Sequence, residues 1–211
     1  ERSFLDDPAR IFRALRFAQR FGFRIESKTL DLLRQAVRAD LIDQIPDHRL
    51  GYEVMSILSE PHPARAVRLM ASLNLLRFLH SDLTCTPGLD RLLVNVERTV
   101  RWWGRRFPDH PLDRALVSLM ALLDGLNETA ENAVLARLAI HVKQAVKARR
   151  VKRALAIVVR RVAEGRPLKP SEAYRLLCDL PDEGLALCVA QHPSTSMKQL
   201  VIDLEIADPV S

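Results

Sequence analysis

The chain has 211 residues, of which 48% are hydrophobic, 27% charged and 5% aromatic, a balance that fits a globular protein with a core of Leu, Val, Ala and Ile. With 32 Lys and Arg against 26 Asp and Glu the net charge is +6, which suits a nucleic-acid partner and equally suits arginines on solvated faces. No run approaches the roughly 18 apolar residues of a membrane span and no secretory pattern stands at the start, so no membrane partner is expected and the expected location is cytoplasmic.

Glycine is scarce, proline is common, and the prolines fall between segments rather than within them. Between them apolar residues recur at three and four, never steadily at two. This predicts an all-α fold of many helices with no significant sheet. In chain order, a first helix is expected from Pro8 to Phe21, with Pro8 in the first turn, Asp7 as cap and Gly22 as terminator. A second follows Ser27 and ends near Asp40. A third starts after Ile45–Asp47 and stops before Pro61, and a fourth covers residues 64–79. Further helices are expected over 88–106, 111–124, 130–140 and 144–164, with three shorter ones after Ser171, Asp182 and Ser194. The stretch "EGRPLKPS" at 164–171 is the best candidate for a joint.

Cys85, Cys178 and Cys188 form no C-x-x-C pair and are expected to be reduced thiols, mostly buried. The six histidines are scattered without metal-ligand spacing, and no metal site is expected here.

The first helix carries the sharpest pattern. At 100° per residue, Arg10, Arg13, Arg16 and Arg20 fall within an arc of about 120°. Ile11, Phe12, Leu15 and Ala18 occupy another arc and face a core. Guanidinium forks suit phosphates and base edges, yet the same pattern describes a solvated amphipathic helix. Both readings stay open on pattern alone.

The stretch "FLDDPARIFRALRFAQRFGFRIESKTLDLLRQA" resembles the neck of class II tRNA nucleotidyltransferases, a family of CCA-adding enzymes, A-adding enzymes and bacterial poly(A) polymerases. The likeness rests on Asp6, Asp7, Arg10, Arg13, Ala14, Arg16, Phe17, Ala18, Gly22 and Phe23. The family's E-R-x-x-x-E element is matched by His48, Arg49 and Glu53, where His48 replaces the first glutamate. Arg49 and Glu53 stand four apart and can pair, a brace within the neck. "LKPSEAYRLLCDLPDEGLALCVAQ" is a looser match to the body of longer members.

The resemblance implies a neck domain over 1–60, a helical body over 61–165 and a C-terminal portion over 166–211. It implies that Asp7 and Arg10, with Asp6, Arg13 and Arg16 nearby, bind the base of ATP or CTP. A carboxylate accepts from the exocyclic amino group that adenine and cytosine share, and a guanidinium donates to ring nitrogens or a carbonyl. It also implies phosphoryl transfer by two magnesium ions in an N-terminal head marked by G-S or G-G followed by D-x-D. No glycine here is followed by Ser or Gly, and the chain opens on Glu1. The piece is therefore expected to be neck and body without the head, with no cofactor of its own and no transferase activity alone.

The body is expected to hold the acceptor end of tRNA. Arg149, Arg150, Arg153, Arg160 and Arg161 lie roughly opposite an apolar stripe of Val151, Leu155, Val158 and Val162, a face suited to RNA phosphates or merely to solvent. Trp102 and Trp103, beside Arg101, Arg105 and Arg106, suit a core or a stacked base. The alternative to an enzyme part is a non-catalytic helical RNA-binding or scaffolding module; an upstream G-S or G-G with D-x-D separates the two.

Overall fold

The computed structural model describes residues 3–141, 151, 156, 175, 177, 178 and 180–207. Its helices are α1 (Ser3–Asp6), α2 (Arg10–Phe21), α3 (Ser27–Arg38), α4 (Asp47–Leu58), α5 (Pro63–Ser72), α6 (Pro87–Arg106), α7 (Arg114–Leu122), α8 (Glu128–Arg137), α9 (Asp182–Gln191) and α10 (Thr195–Ala207). Single 3-10 turns at Leu41–Gln44 and Leu76–Phe78 complete the order, and no strand occurs among the described residues. The fold is all-α, as the periodicity predicts.

Local chemistry sets many of the boundaries. Pro63 and Pro87 occupy first-turn positions of α5 and α6, where a missing N–H costs nothing. Side-chain oxygens of Thr86, Asp113 and Asn127 accept from the backbone N–H groups of Leu89, Leu116 and Ala130 at 3.1, 3.0 and 2.9 Å. Each cap satisfies a donor that a helix start leaves orphaned.

The helix expected over 64–79 is two elements. Asn74 adopts a left-handed conformation, φ 57°, and the Leu75 N–H turns back to the Met70 carbonyl at 2.9 Å. Asn tolerates that region through its short polar side chain, so α5 stops before it. The 3-10 turn then starts afresh and buries Leu76 and Phe78.

The twenty-residue α6 is the central support, packing against α5, α7 and α9, while α4 packs on α2, α5, α7 and α8. Trp103 of α6 is fully buried, and its Nε1–H donates to the His110 carbonyl at 2.9 Å. That satisfies the only polar atom of the ring and makes Trp103 a core residue. Trp102 is half-buried, with Lys198 Nζ 5.5 Å from its ring centroid.

Two residues lock α8 to the first part of the chain. Arg137 donates to the carbonyls of Ile42, Ile45 and Phe78 at 3.1, 3.1 and 3.3 Å, and also to the Asp47 carboxylate. Gly51 of α4 faces the end of α8, where a Cβ would meet the Leu138 carbonyl oxygen at 1.8 Å. Only a residue without a side chain permits that approach.

Of the thiols, Cys188 is buried and its pKa is pushed up to about 12 by loss of solvent. Cys85 is half-buried, and Cys178 is exposed, contrary to the expectation of burial. Val151 is buried and would be 2.7 Å from a Cβ at Gly184. Arg149, Arg150, Arg153, Arg160 and Arg161, the joint at 164–171 and the rest of the 144–164 stretch lie outside the described residues.

Candidate functional site

The site is built where α2 crosses α4. Ile11, Phe12 and Leu15 of α2 are fully buried, and burial of such side chains contributes about 1.5–3 kcal/mol each. Surface ion pairs contribute about 0–1 kcal/mol. The apolar face therefore sets where α2 lies, and its arginines are placed by that docking rather than causing it. α2 starts at Arg10 and ends at Phe21, with Gly22 left-handed at φ 68° as its terminator.

The expected cap is corrected. Ala9 holds the cap position and no side chain closes it. The Arg10 N–H bonds the Asp7 backbone carbonyl at 3.1 Å, so the Asp7 carboxylate is left for other work. Its Oδ2 accepts from Arg49 Nη2 of α4 at 2.6 Å and lies 3.4 Å from Arg10 Nε. Its Oδ1 is buried without a hydrogen-bond partner. Asp6 closes α1 and is exposed, as are Arg10 and Arg13.

The expected Arg49–Glu53 brace is also redirected, because Arg49 reaches across to Asp7 instead. Glu53 is buried, and its Oε2 has no hydrogen-bond partner. Burial pushes its carboxyl above the ordinary range, while the charges of Arg16, Arg13 and Arg49 pull it partly back and Asp7 pushes it further up. The Nε of Arg16 is likewise buried and unpartnered. Three polar atoms on Asp7, Arg16 and Glu53 thus lie buried and unsatisfied around one helix crossing, which native structures seldom tolerate without a reason.

Beyond Arg16, a cavity of about 320 Å³ opens between α2 and the α4–α5 turn, lined by Arg16, Gln19, Arg20, Ser59, Glu60 and His62 among others. Arg20 pairs with Glu60 at 3.7 Å. His62 Nδ1 lies 3.1 Å from Glu97 Oε2, and Glu97 Oε1 accepts from the Ala64 N–H at 3.1 Å.

Known proteins share parts of this sequence and fold. Residues 22–86 match the family model described as the probable RNA- and SrmB-binding site of polymerase A. An A-adding tRNA nucleotidyltransferase of Geobacter sulfurreducens is 30% identical over 203 residues, covering 94% of this chain and 23% of that protein. The chain is similar, along nearly its whole length, to one part of a tRNA nucleotidyltransferase.

Other tRNA-processing proteins extend the likeness. A multifunctional CCA protein of Teredinibacter turnerae is 36% identical over 90 residues, 41% of this chain and 22% of that one. The Thermotoga maritima CCA-adding enzyme complexed with tRNA-CCA superposes with a TM-score of 0.79 at 29% identity, over 97% of this chain and 49% of that chain. A CCA-adding enzyme in complex with CTP gives 0.78 at 29%, over 97% and 48%. The chain spans about a quarter of the curated A-adding relative and about half of these solved chains.

Sequence reasoning missed the Asp7–Arg49 link, because the two residues stand 42 apart and local spacing points Arg49 to Glu53. It also missed Arg137 as a bracket. The carbonyls that Arg137 binds carry no side-chain signal, so nothing local to the sequence marks it.

Proposed function

We propose that this chain is the neck and body of an enzyme that adds nucleotides to RNA 3′ ends, with Asp7 and Arg10 reading the base of ATP or CTP. The observation that carries this reading is the state of Asp7. Arg49 holds one carboxylate oxygen at 2.6 Å, Arg10 stands beside it at 3.4 Å, and the other oxygen has no partner. A carboxylate held in this way is preorganised to accept from an exocyclic amino group, and Arg10 supplies donors for the adjacent ring edge. Guanine and uracil present different patterns and leave these groups mispaired.

Asp6, Arg13 and Arg16 complete the nucleotide-binding set in this reading. The basic face with Arg149, Arg150, Arg153, Arg160 and Arg161 takes the backbone of tRNA or another RNA 3′ end. The division into neck, 1–60, body, 61–165, and C-terminal portion, 166–211, goes with it, as does a cytoplasmic location. Magnesium belongs to a catalytic head outside these residues; among the described residues no group of three or more His, Cys, Asp or Glu is placed to hold a metal ion. In-line attack of an RNA 3′-hydroxyl on the α-phosphate is the chemistry such metals supply. This chain contributes base choice and RNA positioning.

The test is nucleotide addition by the complete protein that contains this chain, with each of the four triphosphates. Asp7→Ala and Arg10→Ala should each cut the preference for ATP over GTP and UTP by about 5- to 150-fold, as loss of a paired base contact does. Unchanged preference in both variants defeats the assignment.

A further inference from the structure

The outer face of α2 carries a second feature that base selection does not use. Phe17, Phe21 and Phe23 are 37%, 56% and 68% exposed. They are stacked on one another, with centroids 6.1 Å apart for Phe17 and Phe21 and 5.5 Å for Phe21 and Phe23. Left-handed Gly22 makes this possible, since it reverses the chain directly after the helix and returns Phe23 beside Phe21. Arginines edge the ladder: the Arg16 guanidinium is 5.1 Å from the Phe17 centroid and that of Arg20 is 5.7 Å from Phe21.

A large exposed aromatic surface calls for an occupant, and charge identifies which. Between Pro8 and Ile25 there are five arginines and no acid. On the helical wheel that puts Arg10 at zero, Phe17 and Phe21 fall near 340° and 20°, beside the arginine stripe at about 240–360°. Rings and guanidinium groups therefore share one face. Exposed aromatics in a basic track are the chemistry of single-stranded nucleic acid, where unpaired bases stack on rings and cations follow phosphates. Duplex ends do not offer unpaired faces in series. The ladder also sits roughly 16 Å along α2 from Arg10, at 1.5 Å per residue, so a strand lying on this face runs towards the Asp7–Arg10 pair.

We propose that Phe17, Phe21 and Phe23 form a stacking platform for the unpaired bases of a single-stranded RNA segment, with Arg20 contacting its phosphates. The platform rests on the reading of this chain as RNA-binding.

The test is fluorescence anisotropy with a labelled ten-nucleotide single-stranded RNA, and with the same RNA annealed to its complement, at two salt concentrations. F21A/F23A should weaken single-strand binding about tenfold or more, since stacking on one ring is worth about 5- to 150-fold. It should leave duplex binding and the salt dependence unchanged, because no charge is removed. F21W/F23W should restore binding and show tryptophan quenching on RNA addition beyond that of the wild type. Equal single-strand affinity of wild type and F21A/F23A overturns the platform while leaving RNA binding intact. If that equality is accompanied by loss of self-association in sedimentation, the face belongs to a second copy of this chain. Equal losses for single strand and duplex also overturn the platform. Failure of the wild type to bind either RNA at low salt overturns both the platform and the RNA-holding role.

Discussion

Arg49 of α4 and Asp7, just ahead of α2, are joined by a 2.6 Å hydrogen bond across 42 residues of chain. The bond ties the proposed base-reading carboxylate to a helix that is itself pinned to α7 and α8. Because Arg49 is 46% exposed at its side chain, its worth to stability is small, about 0–1 kcal/mol. Its effect belongs to orientation. Arg49→Ala should therefore shift the melting temperature little while reducing nucleotide preference nearly as much as Asp7→Ala. A large stability loss with preference unchanged in thermal melts and addition assays makes Arg49 purely structural.

Glu53 should give the protein a measurable pH signature. Burial raises its folded pKa above the ordinary value of 4.5. For an acid raised on folding, the stabilising contribution is complete below the unfolded pKa and is lost as pH rises through the folded one. Wild type measured against Glu53→Gln should thus lose relative stability between pH 4 and pH 7. Urea unfolding at both values checks this; a difference that stays constant, or grows with pH, shows that the neighbouring arginines outweigh burial.

Gly51→Ala should be severely destabilising, by about 3 kcal/mol, because its Cβ would stand 1.8 Å from a backbone oxygen that cannot rotate away. Denaturant midpoints measure this directly. By contrast Gly104→Ala, where a Cβ meets nothing within 4 Å on α6, should stabilise by about 0.5–1 kcal/mol through helix propensity. Equal effects at the two sites contradict the close approach of α4 to the end of α8.

Arg137→Lys should fail to replace arginine. The guanidinium serves three carbonyls and a carboxylate at once, a reach that one ammonium lacks. Carbonyls left unpaired in a part-buried setting cost about 1–3 kcal/mol each, so a loss of at least about 2 kcal/mol is expected in urea unfolding. A change below about 0.5 kcal/mol for both Lys and Met replacements means water takes over these bonds.

Much of the layout is legible in the amino-acid order. The all-α class, the C-terminal end of α2, the span of α6 and the core face of Ile11, Phe12, Leu15 and Ala18 follow from periodicity, proline placement and Gly22. The 64–79 segment shows the limit. Its apolar face runs on unbroken, and only the left-handed backbone at Asn74 tells that the helix stops. Asp7 shows another. Its spacing suits a cap, but the helix begins two residues later and Ala9 takes that place.

What the amino-acid order determined by itself is what acts over a few residues: helical period, turn chemistry, and an arginine stripe beside an apolar one. Those interactions span one or two helical turns and are written in neighbouring side chains. The tertiary structure alone decided which charges meet. Arg49 chose Asp7 over Glu53, and Arg137 gathered carbonyls from two distant turns. Such partners are selected by the docking of buried faces, where apolar area outweighs any single ion pair, and the polar groups then bond whatever that docking brings within reach.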